Sequence, residues 1–299
     1  MEDSVYNPFN EYEIDDDKDK RLAKQAVGGD REALEELIRR HQNWIYNIAC
    51  RMVWHPQEAE DVTQEVLIKV ITKLSTFEHR SKFRTWLYRI VTNHLINMKK
   101  RKSESYFGSF NAYAKSIDET PDRELPDVTG LQADLPLILE EIQIGCMTGM
   151  LLCLNREQRL AFILGAIFNI SDRVGGEIMG INRDNYRQRL CRARKKIAEF
   201  MNTTCGLMNQ DNRCHCIRKS ASLIEEGVVD PKQLIYANTQ LKTVKEAMLD
   251  RAERLDSFIE TKCRDLFRSH PFQDSPDFVS SFRQLISSEQ FQNIIGTQM

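Results

Sequence analysis

The sequence predicts an all-α protein, with two helical domains joined by a flexible acidic linker and followed by a helical C-terminal extension. Apolar residues recur every three or four positions along most of the chain, as Val62, Val66 and Val70 do, and this is the period of one helix face. Side chains that cap helices precede several of these segments, for example Asn155 and Asn182. The periodicity fades over residues 105–136, where prolines and acidic residues collect, so we divide the chain there.

The two domains are flanked by segments of different composition. The N-terminal residues are acidic and lack periodicity, so we expect a loosely held tail. The predicted boundaries are 1–19 for the tail, 20–104 for the first domain, 105–136 for the linker, 137–203 for the second domain and 204–299 for the extension.

Charge is ordinary in amount but uneven in distribution. Charged residues make up 29% of the chain and the formal net charge is −2, so the total gives no indication of nucleic-acid binding. Acidic residues dominate 2–19 and 116–141, whereas basic residues collect in two other blocks, and this asymmetry is the relevant signal. No apolar run approaches the length of a membrane span and the N-terminus is not that of a signal peptide. We therefore expect a soluble cytoplasmic protein without a membrane partner.

The first domain contains two helices of opposite chemistry. Pro56 suits the first position of one helix, whose valines form an apolar face. The following segment, residues 80–102, is rich in Lys and Arg, lacks Asp and Glu and carries interleaved aromatic residues. Such a helix suits single-stranded nucleic acid, because it neutralises phosphates and offers stacking surfaces. A second face of the first helix, too polar to bury in the same core, holds Asp61, Gln64, Glu65 and Ile68.

Two adjacent blocks here, AEDVTQEVLIKV and FRTWLYRIVTNHLINMKKRK, closely resemble the second conserved region of bacterial RNA polymerase sigma factors of the extracytoplasmic-function group. In that family the acidic helix binds the clamp of the polymerase β′ subunit, and the loop and basic helix melt the promoter −10 element. The resemblance implies that Asp61, Gln64, Glu65 and Ile68 face the polymerase. It implies −10 contacts from Thr76, Phe77, Arg80, Lys82, Arg84, Thr85, Tyr88, Arg89, Asn93, Lys99, Lys100 and Arg101.

The linker after the first domain has two interpretations. Its proline content and acidic bias fit a solvated tether. In sigma factors, by the same resemblance, this segment threads polymerase channels meant for nucleic acid, and acidic residues suit the basic walls of such channels. The sequence leaves both interpretations open.

The second domain has the element order of a helix-turn-helix. Asn155 and Ser171 can cap two successive helices, Gly180 can make the tight turn, and Asn182 can cap the last helix. That last helix is strongly basic, which favours DNA binding over a merely solvated surface, since a solvated helix usually mixes acids among its bases.

The segments LNREQRLAF, EIMGIN and RLCRARKKI resemble the fourth conserved region of sigma factors, which reads the −35 element. The resemblance implies binding to the β flap of polymerase, and contacts to −35 DNA from Arg183, Asn185, Arg187, Gln188, Arg189, Arg192 and Arg194. Two features depart from the family pattern. Gly175-Gly176 replace usually apolar or alanine positions, at about 0.5–1 kcal/mol each in helix propensity, and Arg183-Asp184-Asn185-Tyr186 replaces a small, β-branched opening. We therefore expect weak or unusual −35 recognition, with another factor helping to bring the complex to DNA.

A cluster of candidate metal ligands follows the second domain. It consists of Cys205, Cys214, His215 and Cys216. Zinc takes four nitrogen or sulfur ligands and could order this short loop, but the spacing is not that of a paired Cys-x-x-Cys knuckle. Reduced, packed thiols or redox-responsive thiols are the alternatives to structural zinc. We expect no other cofactor.

The extension carries apolar residues at helical spacing. These stripes could form a small bundle or pack back on the second domain, which is the commoner fate of such faces. Alternatively they form a surface for a protein partner, either an anti-sigma protein or a recruiter.

The leading hypothesis is a sigma factor, a non-enzymatic initiation subunit that binds core RNA polymerase and opens promoter DNA. The alternative is a helix-turn-helix regulator that binds duplex DNA without direct tethering to polymerase, but this leaves the acidic face of residues 58–65 unexplained. A zinc-dependent nucleic-acid enzyme is a third class with little support, because the sequence has no P-loop, no His-Glu-x-x-His and no deaminase signature.

Overall fold

Helices make up almost all the regular structure of the residues that can be described. The computed structural model describes residues 8–9, 16–100, 102–123, 135–237 and 258–286. Within these ranges the fold is all-α, as the sequence predicts, and the pairing of Cys205 with Cys214 is an isolated bridge outside any strand. The helices are α1 (Asp16–Val27), α2 (Arg31–Met52), α3 (Pro56–Thr72), α4 (Phe83–Asn97), α5 (Lys102–Phe107), α6 (Phe110–Glu119), α7 (Leu135–Leu152), α8 (Arg156–Phe162), α9 (Asp172–Met179), α10 (Arg183–Thr204), α11 (Cys216–Glu225), α12 (Phe258–Arg268) and α13 (Phe278–Ile286).

The first domain is built around α2, which packs against α1 and α3. The Asp30 side chain caps α2 by accepting a hydrogen bond from the Ala33 amide at 3.1 Å, and Pro56 occupies the start of α3. Val62 and Val66 are fully buried, so the apolar stripe of α3 forms the core contact that its spacing predicts.

The second domain comprises α7 to α10. The Asn155 side chain caps α8 with a bond from the Gln158 amide at 2.8 Å, and Asn182 caps α10 with a bond from the Asn185 amide at 2.7 Å. Between α9 and α10 the chain turns at Gly180, whose φ of +66° lies in the left-handed region that glycine adopts without strain. The helix-turn-helix order is therefore present as the capping residues predict.

The interhelical turn in this domain explains one departure from the family pattern. The Tyr186 ring is fully buried against α9, and a Cβ atom on Gly175 would lie only 2.3 Å from that ring. Gly175 therefore makes room for the large residue that opens α10, so the two unusual positions compensate each other.

The predicted flexible linker is partly helical, which corrects our expectation for residues 105–123. Tyr113 on α6 is buried, stacks on Phe200 with ring centroids 5.7 Å apart, and donates a hydrogen bond to the Cys146 carbonyl at 3.1 Å. The aromatic residues of this segment thus anchor it to the second domain. Residues 124–134 of the predicted linker lie outside the described residues.

The C-terminal extension packs on both domains. Helix α11 lies against α7, α12 lies against α10, and α13 lies against α2. The Arg268 guanidinium donates to the Ala166 and Ile167 carbonyls at 2.9 and 3.1 Å, within the second domain. The backbone N–H of Gln273 donates to Oδ1 of Asn47, a residue of the first domain, at 2.9 Å. The extension therefore packs on the second domain, as one of the predictions has it, and also on the first domain.

One helix departs from the expectation that no segment could span a membrane. Helix α7 is long and apolar enough to do so by length and composition, and it is the one such helix among the described residues. Of that segment, 56% is buried inside the protein, with Ile138, Met150 and Leu151 among its buried residues. A core helix passes the same composition test, and α7 packs here as a core helix.

Candidate protein and nucleic-acid interfaces

The polar face of α3 is open to solvent. Asp61, Gln64 and Glu65 are exposed, and Ile68 is half-buried against the core. Positions separated by three, four and seven residues lie on one side of a helix, so these side chains form a single surface. We call this surface, Asp61, Gln64, Glu65 and Ile68, the α3 face.

The loop between α3 and α4 is anchored at one end and exposed at its tip. Phe77 is buried, and its ring centroid lies 5.2 Å from that of Phe83 in an edge-on contact. The loop then turns outward, and His79 has a φ of +57°. The predicted contacts Thr76, Arg80 and Lys82 are exposed. The loop therefore exposes cationic side chains, while the buried contact between Phe77 and Phe83 anchors it to the core.

Three predicted −10 contacts lie inside the protein in this arrangement. Arg84, Thr85 and Tyr88 are all buried. The Arg84 guanidinium donates to the Pro8 carbonyl at 3.0 Å, and the Tyr88 ring lies 4.6 Å from that of Phe9. The segment 1–19 was expected to be a loose tail, but Pro8 and Phe9 cover this turn of α4. In this arrangement the side chains of Arg84, Thr85 and Tyr88 are packed inside the protein.

The remaining predicted contacts on α4 meet the second domain or solvent. The Arg89 guanidinium donates to the Glu177 carbonyl at 2.8 and 3.2 Å, although its side chain is exposed. Thr92 donates to the Ile178 carbonyl at 2.9 Å, so the C-terminal end of α9 sits on α4. Asn93, Lys99 and Lys100 are exposed, whereas Arg101 lies outside the described residues.

An open cleft of about 310 Å³ lies beside this contact between the domains. Its lining is mostly cationic and includes Lys82, Arg84, Arg89 and Arg173, with Glu177 as the acidic member. A concave surface with one dominant sign of charge raises the local potential and attracts polyanions.

The basic face of α10 points to solvent. Arg183, Asn185, Arg187, Gln188 and Arg192 are exposed, and Arg189 and Arg194 are half-buried. Arg183 and Arg187 share Asp172, at 2.9 and 3.4 Å, and this carboxylate raises the pKa of Arg183. The opening of α10 is thus held by an acidic residue of α9, which leaves fewer cationic groups free for base contacts.

A buried ionic cluster, which was not predicted from the sequence, connects the two domains. Arg159 is 2% exposed and lies 3.0 Å from the Glu104 carboxylate, which also pairs with Arg156 at 2.6 Å. Arg159 donates to the Met52 carbonyl at 2.6 Å and to the Leu151 carbonyl at 2.9 Å. The Arg159 guanidinium therefore satisfies carbonyls at the ends of α2 and α7, which have no partner within their own helices. The sequence feature that could have indicated this cluster is the pair of arginines, Arg156 and Arg159, three residues apart in LNREQR.

The cysteine loop brings Cys205, Cys214 and Cys216 to the lining of one small pocket. Among the described residues, no group of three or more His, Cys, Asp or Glu side chains is placed to hold a metal ion. The His215 ring instead lies against Gly206, where a Cβ atom would be 2.8 Å from Nδ1. Burial raises the pKa of Cys214 to about 11 and that of Cys216 to about 12, which keeps both thiols protonated at neutral pH.

Comparison with known proteins finds similarity to sigma factors. The family Sigma-70 region 2 matches residues 37–105. The sigma factor SigW of Bacillus subtilis is 27% identical over 183 residues, which cover 60% of this chain and 94% of that protein. SigE of Mycolicibacterium smegmatis is 28% identical over 178 residues, covering 58% of this chain and 64% of that protein. A solved structure of CnrH in complex with the cytosolic domain of CnrY has a TM-score of 0.44 and 20% identity, and it covers 62% of this chain and 97% of that one.

Residues 37–105 of the chain form a Sigma-70 region 2 domain, and over a longer stretch the chain is similar to SigW and SigE, which are named as sigma factors of the extracytoplasmic-function group. The resemblance seen in the sequence is therefore confirmed. A helix-turn-helix regulator that acts without polymerase is not favoured, because the relatives that match are named as sigma factors.

Proposed function

We propose that this protein binds core RNA polymerase through the α3 face and directs promoter recognition, DNA melting and transcription initiation. The observation that carries the proposal is the exposure of Asp61, Gln64 and Glu65 on a helix whose other side is fully buried. Carboxylates kept on an open, ordered surface suit a basic partner, and the family resemblance supplies that partner as the β′ clamp. Sigma factors are not enzymes, and the protein works by binding energy.

The proposed path of −10 DNA follows the exposed side of the first domain. Thr76, Arg80 and Lys82 on the loop, with Lys99 and Lys100 after α4, can neutralise phosphates of the separated strand. Arg89 and Asn93 join this surface once α9 leaves α4, because the Glu177 carbonyl now takes the Arg89 guanidinium. Promoter binding therefore requires the two domains to separate.

The proposed −35 contact is made by the exposed residues of α10. Arg187, Gln188 and Arg192 lie on its solvent face, where a recognition helix meets the major groove. Because Asp172 engages Arg183 and Arg187, base readout by the first turn is weak, and a recruiting factor compensates for it. The β flap is the polymerase element that the family resemblance assigns to this domain.

The extension is the proposed site of regulation. It contacts both domains, so a partner that removes it from either one changes how readily they separate. An anti-sigma protein that holds the domains together and a recruiter that parts them are the two partner classes this geometry fits. The protein is proposed to act in the cytoplasm, where polymerase and promoter DNA are found.

Charge reversal on the α3 face tests the proposed function. We expect Asp61→Lys with Glu65→Lys to abolish capture of core RNA polymerase in a pull-down, because the new lysines repel a basic partner. The matched control is Asp184→Lys with Glu199→Lys, which makes the same charge change at exposed positions of α10. Equal capture by both double variants would refute the assignment.

A further inference from the structure

A small cavity lies where both domains and the extension meet. Its volume is about 80 Å³, which is several times the space that one water molecule needs. Helix α2 contributes Arg51, α7 contributes Thr148, and the extension contributes Tyr236 and His270. The rest of the lining is largely apolar, with Met147 among its members. The cavity thus has a cationic group in an otherwise largely apolar lining. Electrostatic interactions are strong there because the local dielectric constant is low.

Among the residues that the structure describes, the cation in this cavity has no acidic partner. Arg51 donates to the Asn47 carbonyl at 3.0 Å, to Asn47 Oδ1 at 3.1 Å and to the Pro271 carbonyl at 3.1 Å. A guanidinium carries five N–H donors, so these bonds leave two for another acceptor. The guanidinium also lies 5.2 Å from the centre of the Phe168 ring. Burial lowers the pKa of Arg51 to about 10, and the group remains charged at neutral pH without a carboxylate to balance it.

A second polar group in the cavity lacks a hydrogen-bond partner within the described part of the chain. His270 is 8% exposed, and its Nε2 atom is buried without a hydrogen-bond partner. Leaving such an atom unpaired destabilises the fold, so a buried nitrogen of this kind indicates an absent acceptor or donor. Burial and the nearby Arg51 charge lower the pKa of His270 to about 3. With Tyr46, Cys50 and Tyr236 also held neutral by burial, Arg51 is the one charged group facing the cavity among the residues described.

We propose that this cavity binds a single small oxyanion of the phosphate class, held by the Arg51 guanidinium and the His270 imidazole. The two free N–H donors of Arg51 suit the paired oxygens of a tetrahedral anion, and His270 Nε2 donates to a third oxygen. The volume has room for roughly five water-sized atoms, which fits a free anion better than a phosphate ester.

The anion would join parts of the molecule that are distant in sequence. Arg51 belongs to the first domain and His270 to the extension, and the Arg51 bond to the Pro271 carbonyl already links these two elements. A ligand that binds only this arrangement stabilises it by mass action. The oxyanion is therefore a stabiliser of the state in which the extension is docked.

Binding of inorganic phosphate to the full-length protein at constant ionic strength tests the proposal. We expect one phosphate per chain in equilibrium dialysis and a saturable rise of the melting temperature, by a few degrees. Adenosine monophosphate serves as the ester probe, and we expect at least tenfold weaker binding. Equal binding of the ester would overturn the assignment to a free anion.

Two variants locate the bound phosphate. His270→Leu should keep or raise the basal melting temperature, because it removes an unpaired buried nitrogen, and it should weaken phosphate binding at least tenfold. Arg51→Gln should abolish binding. Arg187→Gln with Arg192→Gln on the basic face of α10 should bind phosphate normally. No saturable binding by the wild type, or unchanged binding by His270→Leu, would overturn the proposal even if Arg51→Gln fails to fold.

Discussion

At the residue scale, Gly175 lowers the helix propensity of α9 but is required for side-chain packing. Its helix propensity is poor, and the sequence alone suggests a weakened α9. The Tyr186 ring fills the space that a side chain would take, and its hydroxyl lies 3.4 Å from the Ala161 carbonyl. The loss in propensity is therefore coupled to burial of a large aromatic residue.

Gly175→Ala is expected to destabilise the protein in spite of the better helix propensity of alanine. The added Cβ would lie 2.3 Å from the Tyr186 ring, and overpacking of this kind costs about 1–3 kcal/mol. Denaturant unfolding measures the change in the free energy of unfolding. In the background of Tyr186→Leu the same substitution should be neutral or stabilising. A more stable Gly175→Ala single variant would contradict the packing account.

At the element scale, α4 divides its residues between the core and the second domain. Its first turn faces α1 and the Pro8–Phe9 segment, where Arg84 is buried, whereas Arg89 one turn further on reaches α9. Basic residues five positions apart in the sequence thus have different roles. The family resemblance assigns them the same role, because spacing alone does not show which segments cover a helix.

Arg84→Ala and Arg89→Ala are expected to separate these roles. Arg84→Ala should lower the free energy of unfolding by about 2–4 kcal/mol, because it leaves a buried site without its bonding group. Arg89→Ala should change stability by less than about 0.5 kcal/mol, as surface substitutions usually do, but should reduce strand opening in a permanganate footprint with core polymerase. Equal stability losses in the two variants would contradict this division.

At the scale of the whole molecule, local features were predictable and long-range contacts were not. The caps at Asp30, Asn155 and Asn182 and the buried stripe of α3 follow from short sequence patterns, and each is present. The packing of α9 on α4, the Arg159–Glu104 cluster and the docking of the extension join residues far apart in the chain. Periodicity marks a face as apolar but does not name the surface that covers it.

The extension connects the two domains in this arrangement, since α12 contacts the second domain and α13 contacts the first. Ending the chain at residue 257 should therefore let the domains part, and the radius of gyration in small-angle X-ray scattering should increase. Lys115→Gln is the control, because it removes an exposed ion pair with Glu119 within α6 and should leave the radius unchanged. A truncated protein as compact as the full chain would show that the two domains stay together without α12 and α13.

The most direct measurement is transcription in vitro with bacterial core RNA polymerase, in which the start sites are mapped after addition of this protein. We predict discrete starts that require the protein and that vanish with Asp61→Lys and Glu65→Lys, while Asp184→Lys with Glu199→Lys still supports polymerase binding. Transcripts that are unchanged by charge reversal on the α3 face, or no protein-dependent starts at all, would contradict the assignment of that face to polymerase.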